Sequence, residues 1–217
     1  MENNLAQSLE TLIKYYSNDK LSDIVYNLQL QLKNKNSKSI LQIISQDLTS
    51  KDTLNAALDV KSVMGQINVV VHTLGIINSL PYLLEDNEVV ESVSLGADNA
   101  SSEFDLITNK RIAEFKFITW RGNDSMRLKT TFGDYYNLVE YNTEKEKYLY
   151  LTDCSYFQKF LNGRRSFSSI LSKNNKIAKE FEAKYNNKYN FLNEYYDDNK
   201  FKVNLISLND IAPDLFK

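Results

Sequence analysis

Cysteine occurs once in the 217 residues, which excludes an internal disulfide, and one cysteine with one histidine is too few for a zinc site of three or four soft ligands. No Walker-type Gly-Lys-Ser/Thr loop, no Gly-x-Gly-x-x-Gly turn and no Gly-x-Ser-x-Gly elbow is present. Nucleotide-driven phosphoryl transfer, dinucleotide cofactors and elbow-type serine hydrolysis are therefore not expected. No apolar run reaches about 18 residues, no basic segment precedes an apolar one at the start, and no lipidation cysteine closes the chain. The expectation is a cytoplasmic protein with no membrane partner. Arginine is absent before residue 111: all five (Arg111, Arg121, Arg127, Arg164, Arg165) fall between 111 and 165. A net charge of −2 excludes a uniformly basic surface, so a phosphate site should be local and lie among those arginines.

What remains is an ordinary globular composition, 42% hydrophobic and 25% charged. A chain of this length buries roughly 70% of its unfolded surface, enough for one or two cores. From Asn4 to about Leu80 apolar residues recur at helical spacing, which predicts short amphipathic helices broken at 17–19 and 34–37, with Ser50 and Asp52 capping the next. Ser62 to Leu80 reads as a longer, buried helix with Val63, Ile67, Val70, Val71, Leu74 and Ile77 on one stripe, ended by Pro81. Beyond it the period drops to two. Stretches 88–95, 102–108, 111–119 and 147–152 have the β-branched and aromatic content of strands, and 202–208 reads as a last one. Stretches 124–140, 156–161, 166–171 and 176–191 read as helices. The fold class is α/β with a helical N-terminal extension over 1–60 and a mixed domain over 61–217.

The most informative stretch runs from Ser101 to Ile118. If Asn109-Lys110 is a two-residue hairpin loop, Ile107 faces Ile112, Leu106 faces Ala113 and Asp105 faces Glu114. Opposed carboxylates repel unless a cation or a shared proton lies between them. Side chains alternate along a strand, so Lys116 shares the face of Glu114 and Glu103 that of Asp105, while Phe104, Leu106, Ala113, Phe115 and Phe117 form an apolar face. Carboxylates converging beside an ammonium suit a hard divalent cation, Mg²⁺ or Mn²⁺, which polarises phosphate and acidifies water. The bland alternative is a solvated face of weak ion pairs.

Phe104-Asp105-Leu106 and Ala113-Glu114-Phe115-Lys116-Phe117 resemble the motif of the PD-(D/E)XK nuclease superfamily, an Asp on the second core strand and Glu-x-Lys on the third. The resemblance covers about 90 residues, 62–153. It implies a restriction-endonuclease-like αβββαβ core, a central mixed sheet flanked by helices, within a nuclease domain spanning 61–217. It further implies Asp105 and Glu114 as metal ligands, Lys116 as the catalytic lysine, and phosphodiester hydrolysis. Many members carry a further acid on the helix before the first strand; residues 62–84 contain none, leaving Gln66, Glu91 or Glu103 as auxiliaries.

Trp120, Arg121, Arg127 and Lys129 follow the motif strand and could contact nucleic acid, the indole by stacking and the cations through phosphates; Arg164 and Arg165 offer a second phosphate contact. His72 reads as a hydrogen-bonded core histidine and Cys154 as a small buried hydrophobe. The expected partner is nucleic acid, DNA ahead of RNA, with a homodimer consistent with cutting both strands of a duplex. The competing reading is a catalytically inactive nuclease-fold protein that binds protein or nucleic acid.

Overall fold

The computed structural model describes residues 5–13, 21–44, 49–96, 103–120, 124–172 and 174–216. The chain divides into two compact units, Met1–Asn68 and Val69–Lys217. The first holds α1 (Leu5–Ile13), α2 (Leu21–Leu32), α3 (Ser37–Ile44) and the first half of α4 (Lys51–Leu83). Two of its helix starts are capped: the Asn36 carboxamide accepts the Ser39 N–H at 3.0 Å, and the Ser50 hydroxyl, as expected, accepts the Thr53 N–H at 3.2 Å. The expected break at 34–37 is found between α2 and α3; that at 17–19 lies outside the described residues.

The second unit contains the C-terminal half of α4, then β1 (Val90–Val93), β2 (Leu106–Thr108), β3 (Arg111–Lys116), α5 (Ser125–Glu140) and β4 (Glu146–Leu151). After these come α6 (Ser155–Leu161), α7 (Phe167–Leu171), α8 (Asn175–Tyr185), α9 (Leu192–Asn199), β5 (Asn204–Ser207) and α10 (Leu208–Ile211). The five strands form one mixed sheet in sequence order, antiparallel through β1, β2 and β3 and parallel from β3 to β5. The protein is thus a mixed α/β structure with a helix-flanked sheet and an N-terminal helical region.

Each face of the sheet is buried. Leu106, Ala113, Phe115 and Tyr150 pack with Ile76 and Leu83 of α4 and with Leu208. On the other side Ile112, Leu149 and Leu151 meet Leu128, Phe132 and Leu138 of α5 and an aromatic layer from α6 to α9. The face shared by Glu114 and Lys116 is therefore covered by α5 rather than open to solvent, because Leu149 and Leu151 on the parallel neighbour supply apolar area for a helix to bury. Phe104 leaves the expected apolar face and joins the α5 side, edge-on to Tyr141 at 4.8 Å, since strand alternation begins only at Leu106.

Helix α4 departs twice from expectation. It continues past Pro81, with the Leu84 N–H still bonded to the Leu80 carbonyl at 3.0 Å, because a proline in the last turn forfeits only its own N–H. Its inward face is Ile76, Ser79 and Leu83, so Val70, Leu74 and Ile77 point outward. The single helix expected over 176–191 is instead α8 and the approach to α9, broken where Asn186 and Asn187 adopt left-handed φ of 40° and 62°.

Candidate active site

The hairpin between β2 and β3 has the expected register, Leu106 opposite Ala113 and Ile107 opposite Ile112. Its turn is tied by Thr108, whose hydroxyl accepts the Lys110 and Arg111 N–H groups at 3.0 and 2.9 Å. Asn109 exchanges two hydrogen bonds with the Val89 backbone, at 3.1 and 2.9 Å, which fastens the turn to the strand before it. Asp105 lies one residue before the paired ladder. Its carbonyl accepts the Ser94 N–H at 2.8 Å, and its Oδ2 accepts the Phe115 N–H at 2.8 Å. A side-chain oxygen thus stands where a backbone acceptor would otherwise satisfy β3.

Three further contacts close the cluster. His72 Nε2, from α4, lies 3.2 Å from Asp105 Oδ1. Lys116 Nζ lies 3.4 Å from Glu114 Oε2 and 3.1 Å from Asp134 Oδ2, which reaches across from α5. The Glu114 carboxyl lies close enough to Asp105 for the Asp105 charge to act on it. The side chains of Asp105, Glu114, Lys116 and Asp134 are only 14–24% exposed, which excludes the solvated-face reading. Two glycines let α4 approach. A Cβ at Gly75 would meet the Phe117 ring at 2.4 Å, and Gly96, at φ +81°, turns the chain over the His72 ring.

Electrostatically the cluster is unbalanced, with three carboxylates around one ammonium. Burial, and then the Asp105 charge beside it, lifts Glu114 to about 8 against the opposing pull of Lys116. Burial likewise raises Asp134 despite its contact with Lys116. Burial would also raise Asp105, but the His72 contact, the Phe115 N–H and the Lys116 charge outweigh it and hold that carboxyl below its ordinary value. Burial would lower Lys116, yet Asp134, Glu114 and Asp105 carry it up to about 12. Near neutral pH the cluster therefore holds an ionised Asp105, the Lys116 ammonium and a largely protonated Glu114, with Asp134 shifted in the same direction as Glu114.

These donors are oxygens with one imidazole nitrogen, a set whose chemistry would suit Mg²⁺ or Mn²⁺, and Asp105 and Glu114 are the residues that would hold such an ion. Among the described residues no group of three His, Cys, Asp or Glu donors is preformed around one point. The Glu114 and Asp134 carboxyls are instead drawn to the Lys116 ammonium.

The other sequence candidates are dispersed. Glu91 pairs with Lys145 at 2.6 Å. Glu103 borders a cleft of about 470 Å³ with Tyr136, Glu140, Lys176 and Lys184, and Gln66 is an exposed residue of the first unit. Trp120 donates its indole N–H to the Asp153 carbonyl at 3.2 Å and stacks on Tyr156 at 5.5 Å, so part of its surface is engaged in packing. Arg127 reaches the Thr119 carbonyl at 3.5 Å and Lys129 the Ser172 hydroxyl at 3.4 Å. Arg164 and Arg165 lie over the Phe191 and Phe160 rings, at 4.4 and 5.3 Å, in the helical layer. Arg121 lies outside the described residues.

Asp134 and His72 are the members that sequence reasoning missed. Asp134 interrupts a buried helical stripe of Thr131, Tyr135 and Leu138, and an acid in such a stripe is a usable signal. Neither a family model, nor a curated protein, nor a solved structure matches the chain.

Proposed function

We propose that the protein is a divalent-metal-dependent nuclease with a restriction-endonuclease-like core, acting on DNA ahead of RNA. The single observation behind this reading is the buried excess of carboxylate around Lys116 at the end of β3. The order α4, β1, β2, β3, α5, β4 supports it, being the αβββαβ order that the motif implies. A divalent ion at Asp105 and Glu114 would polarise a phosphoryl oxygen and acidify a bound water. Lys116 would assist the attacking water and stabilise charge developing on the phosphate. Asp134 gives its ammonium a second partner, so Glu114 can be released to bind without leaving Lys116 uncompensated. His72 orients Asp105 through Oδ1. Arg127 and Lys129, at the start of α5, hold the phosphate backbone.

The test is cleavage of single- and double-stranded DNA and RNA with Mg²⁺, Mn²⁺ or EDTA. Glu114→Ala and Lys116→Ala should each reduce metal-dependent cutting by roughly 10²–10⁴-fold. Cutting that survives both substitutions removes the cluster from the chemistry. The second reading, an inactive binding protein, is favoured by the lack of a preformed three-donor group among the described residues. It predicts no Mn²⁺-induced thermal stabilisation, whereas a nuclease site predicts stabilisation that disappears in Asp105→Ala.

A further inference from the structure

Helices α7 and α8 and the approach to α9 enclose a cleft of about 660 Å³, within the size range of small-ligand sites. Backbone pairing holds its walls: Ser166 and Phe191 form an antiparallel bridge, and the Leu192 N–H bonds the Arg165 carbonyl at 2.9 Å. The floor is apolar, formed by Phe167, Leu171, Phe181 and Tyr189, all buried in the helical layer. The rim is polar and carries no cation, with Asn175, Glu182, Asn187 and Asn190 exposed there beside three serines. Among the described residues, no hydrogen bond or ion pair engages the side chains of those four. Two cations adjoin the cleft through its lining. Lys129 Nζ lies 3.4 Å from Ser172 Oγ, and the Arg164 guanidinium lies 4.4 Å above the Phe191 ring.

We infer that this cleft takes the base of a nucleotide whose phosphate rests on Lys129 or Arg164 beside it. An apolar floor accepts a ring, and free carboxamides with a carboxylate match the mixed donor and acceptor edge of a base. No cation lines the cleft, so the phosphate stays outside, and two cations at its border favour a ring that carries a phosphate over a free sugar. A base inside a duplex is stacked on both faces and cannot enter. The occupant is therefore unpaired, either a free nucleotide or one residue of a single strand. The inference rests on the nucleic-acid reading proposed above and names the strandedness of its substrate, with Lys129 common to both.

Binding to the full chain is measured in EDTA, so that cutting does not enter the result. Calorimetry with the ribo- and deoxyribonucleoside 5′-monophosphates tests the free nucleotide. Anisotropy with strands of about twelve nucleotides, single, duplex and abasic, tests the nucleic acid. The expected result is binding of a monophosphate, or of the single strand about tenfold more tightly than the duplex or the abasic strand. Monophosphate binding assigns the free nucleotide; binding confined to the strand assigns the nucleic acid. Asn175→Ala combined with Asn190→Ala should weaken it about tenfold. Ala178→Leu, which fills the cleft from α8 with a good helix former, should do the same without removing a polar group and serves if the double variant misfolds. A Kd weaker than about 1 mM for every probe, an abasic strand bound as tightly as the intact one with no monophosphate bound, or binding unchanged by these substitutions would each overturn the inference. A chain that binds the base yet cuts nothing with Mg²⁺ or Mn²⁺ would overturn the nuclease reading and uphold the cleft.

Discussion

Strand β3 carries a buried ionic cluster at each end, and the two are built on opposite principles. At its start Arg111 makes a bidentate pair with Glu88, both bonds at 2.6 Å, donates to the Tyr150 hydroxyl at 2.9 Å and lies over the Tyr148 ring at 4.7 Å. Burial works against both charges there, but the paired hydrogen bonds outweigh it, leaving Glu88 below its ordinary pKa and Arg111 above. At its end the acids outnumber the cation, and Glu114 is displaced upward to about 8. The first cluster is complete within the chain, while the second lacks positive charge. A matched pair holds the sheet together; in an unmatched one the surplus acid keeps its proton.

The comparison breaks most visibly at Arg111. Arg111→Met should leave Glu88 buried without its cation and cost roughly 3–5 kcal/mol, read as a fall in denaturant midpoint. Glu114→Gln should act in the opposite direction. The folded protein holds the Glu114 proton between the ordinary carboxylate range and about 8, so wild-type stability falls as pH rises through that window. Replacing the acid with an amide should remove this slope and stabilise the protein at pH 9 by about 2 kcal/mol. Equal pH dependence in wild type and variant would mean that Glu114 is not strained.

Metal binding sharpens the contrast from the other side. Because Glu114 is protonated below about 8, Mn²⁺ should release roughly one proton at pH 6.5, and its affinity should weaken about tenfold per pH unit below that value. Calorimetry in buffers of different ionisation enthalpy measures the proton directly. The smallest effect is expected at Gly75→Ala, about 1 kcal/mol, because Phe117 must move from a stack shared with Phe115 and Phe216. Mn²⁺ affinity should fall with it if the closeness of α4 is what brings His72 to Asp105.

The hairpin was legible because two constraints coincide there, a period of two and a two-residue loop, and together they leave one register. The facing of α4 was not. Its uncharged stretch offers two stripes, and the buried one contains Ser79, whose hydroxyl is satisfied by the Gly75 carbonyl at 2.7 Å and so carries no penalty inside. Choosing the more apolar stripe turned the helix around and hid His72, which lies one turn before Ile76 on the inner face. Asp134 was concealed differently: its place in the stripe of Thr131, Tyr135 and Leu138 marks it as a buried acid, but its partner Lys116 appears only when α5 is laid over β3. The break after Tyr185 was foreshadowed by Asn186-Asn187, but asparagine is abundant in this chain, at 25 residues, which dilutes it as a punctuation mark.

Asp105 performs two jobs with two oxygens, one satisfying the Phe115 N–H and the other turned toward His72 and the acids. Those jobs can be separated by chemistry. Asparagine keeps an acceptor for the strand while discarding the negative charge, whereas alanine discards both. On the proposed nuclease reading, Asp105→Asn should therefore yield a protein that folds and retains its cationic groups but stalls before bond cleavage. Used as bait, such a variant would, on that reading, hold nucleic acid long enough for the sequence and strandedness of the captured molecule to be read.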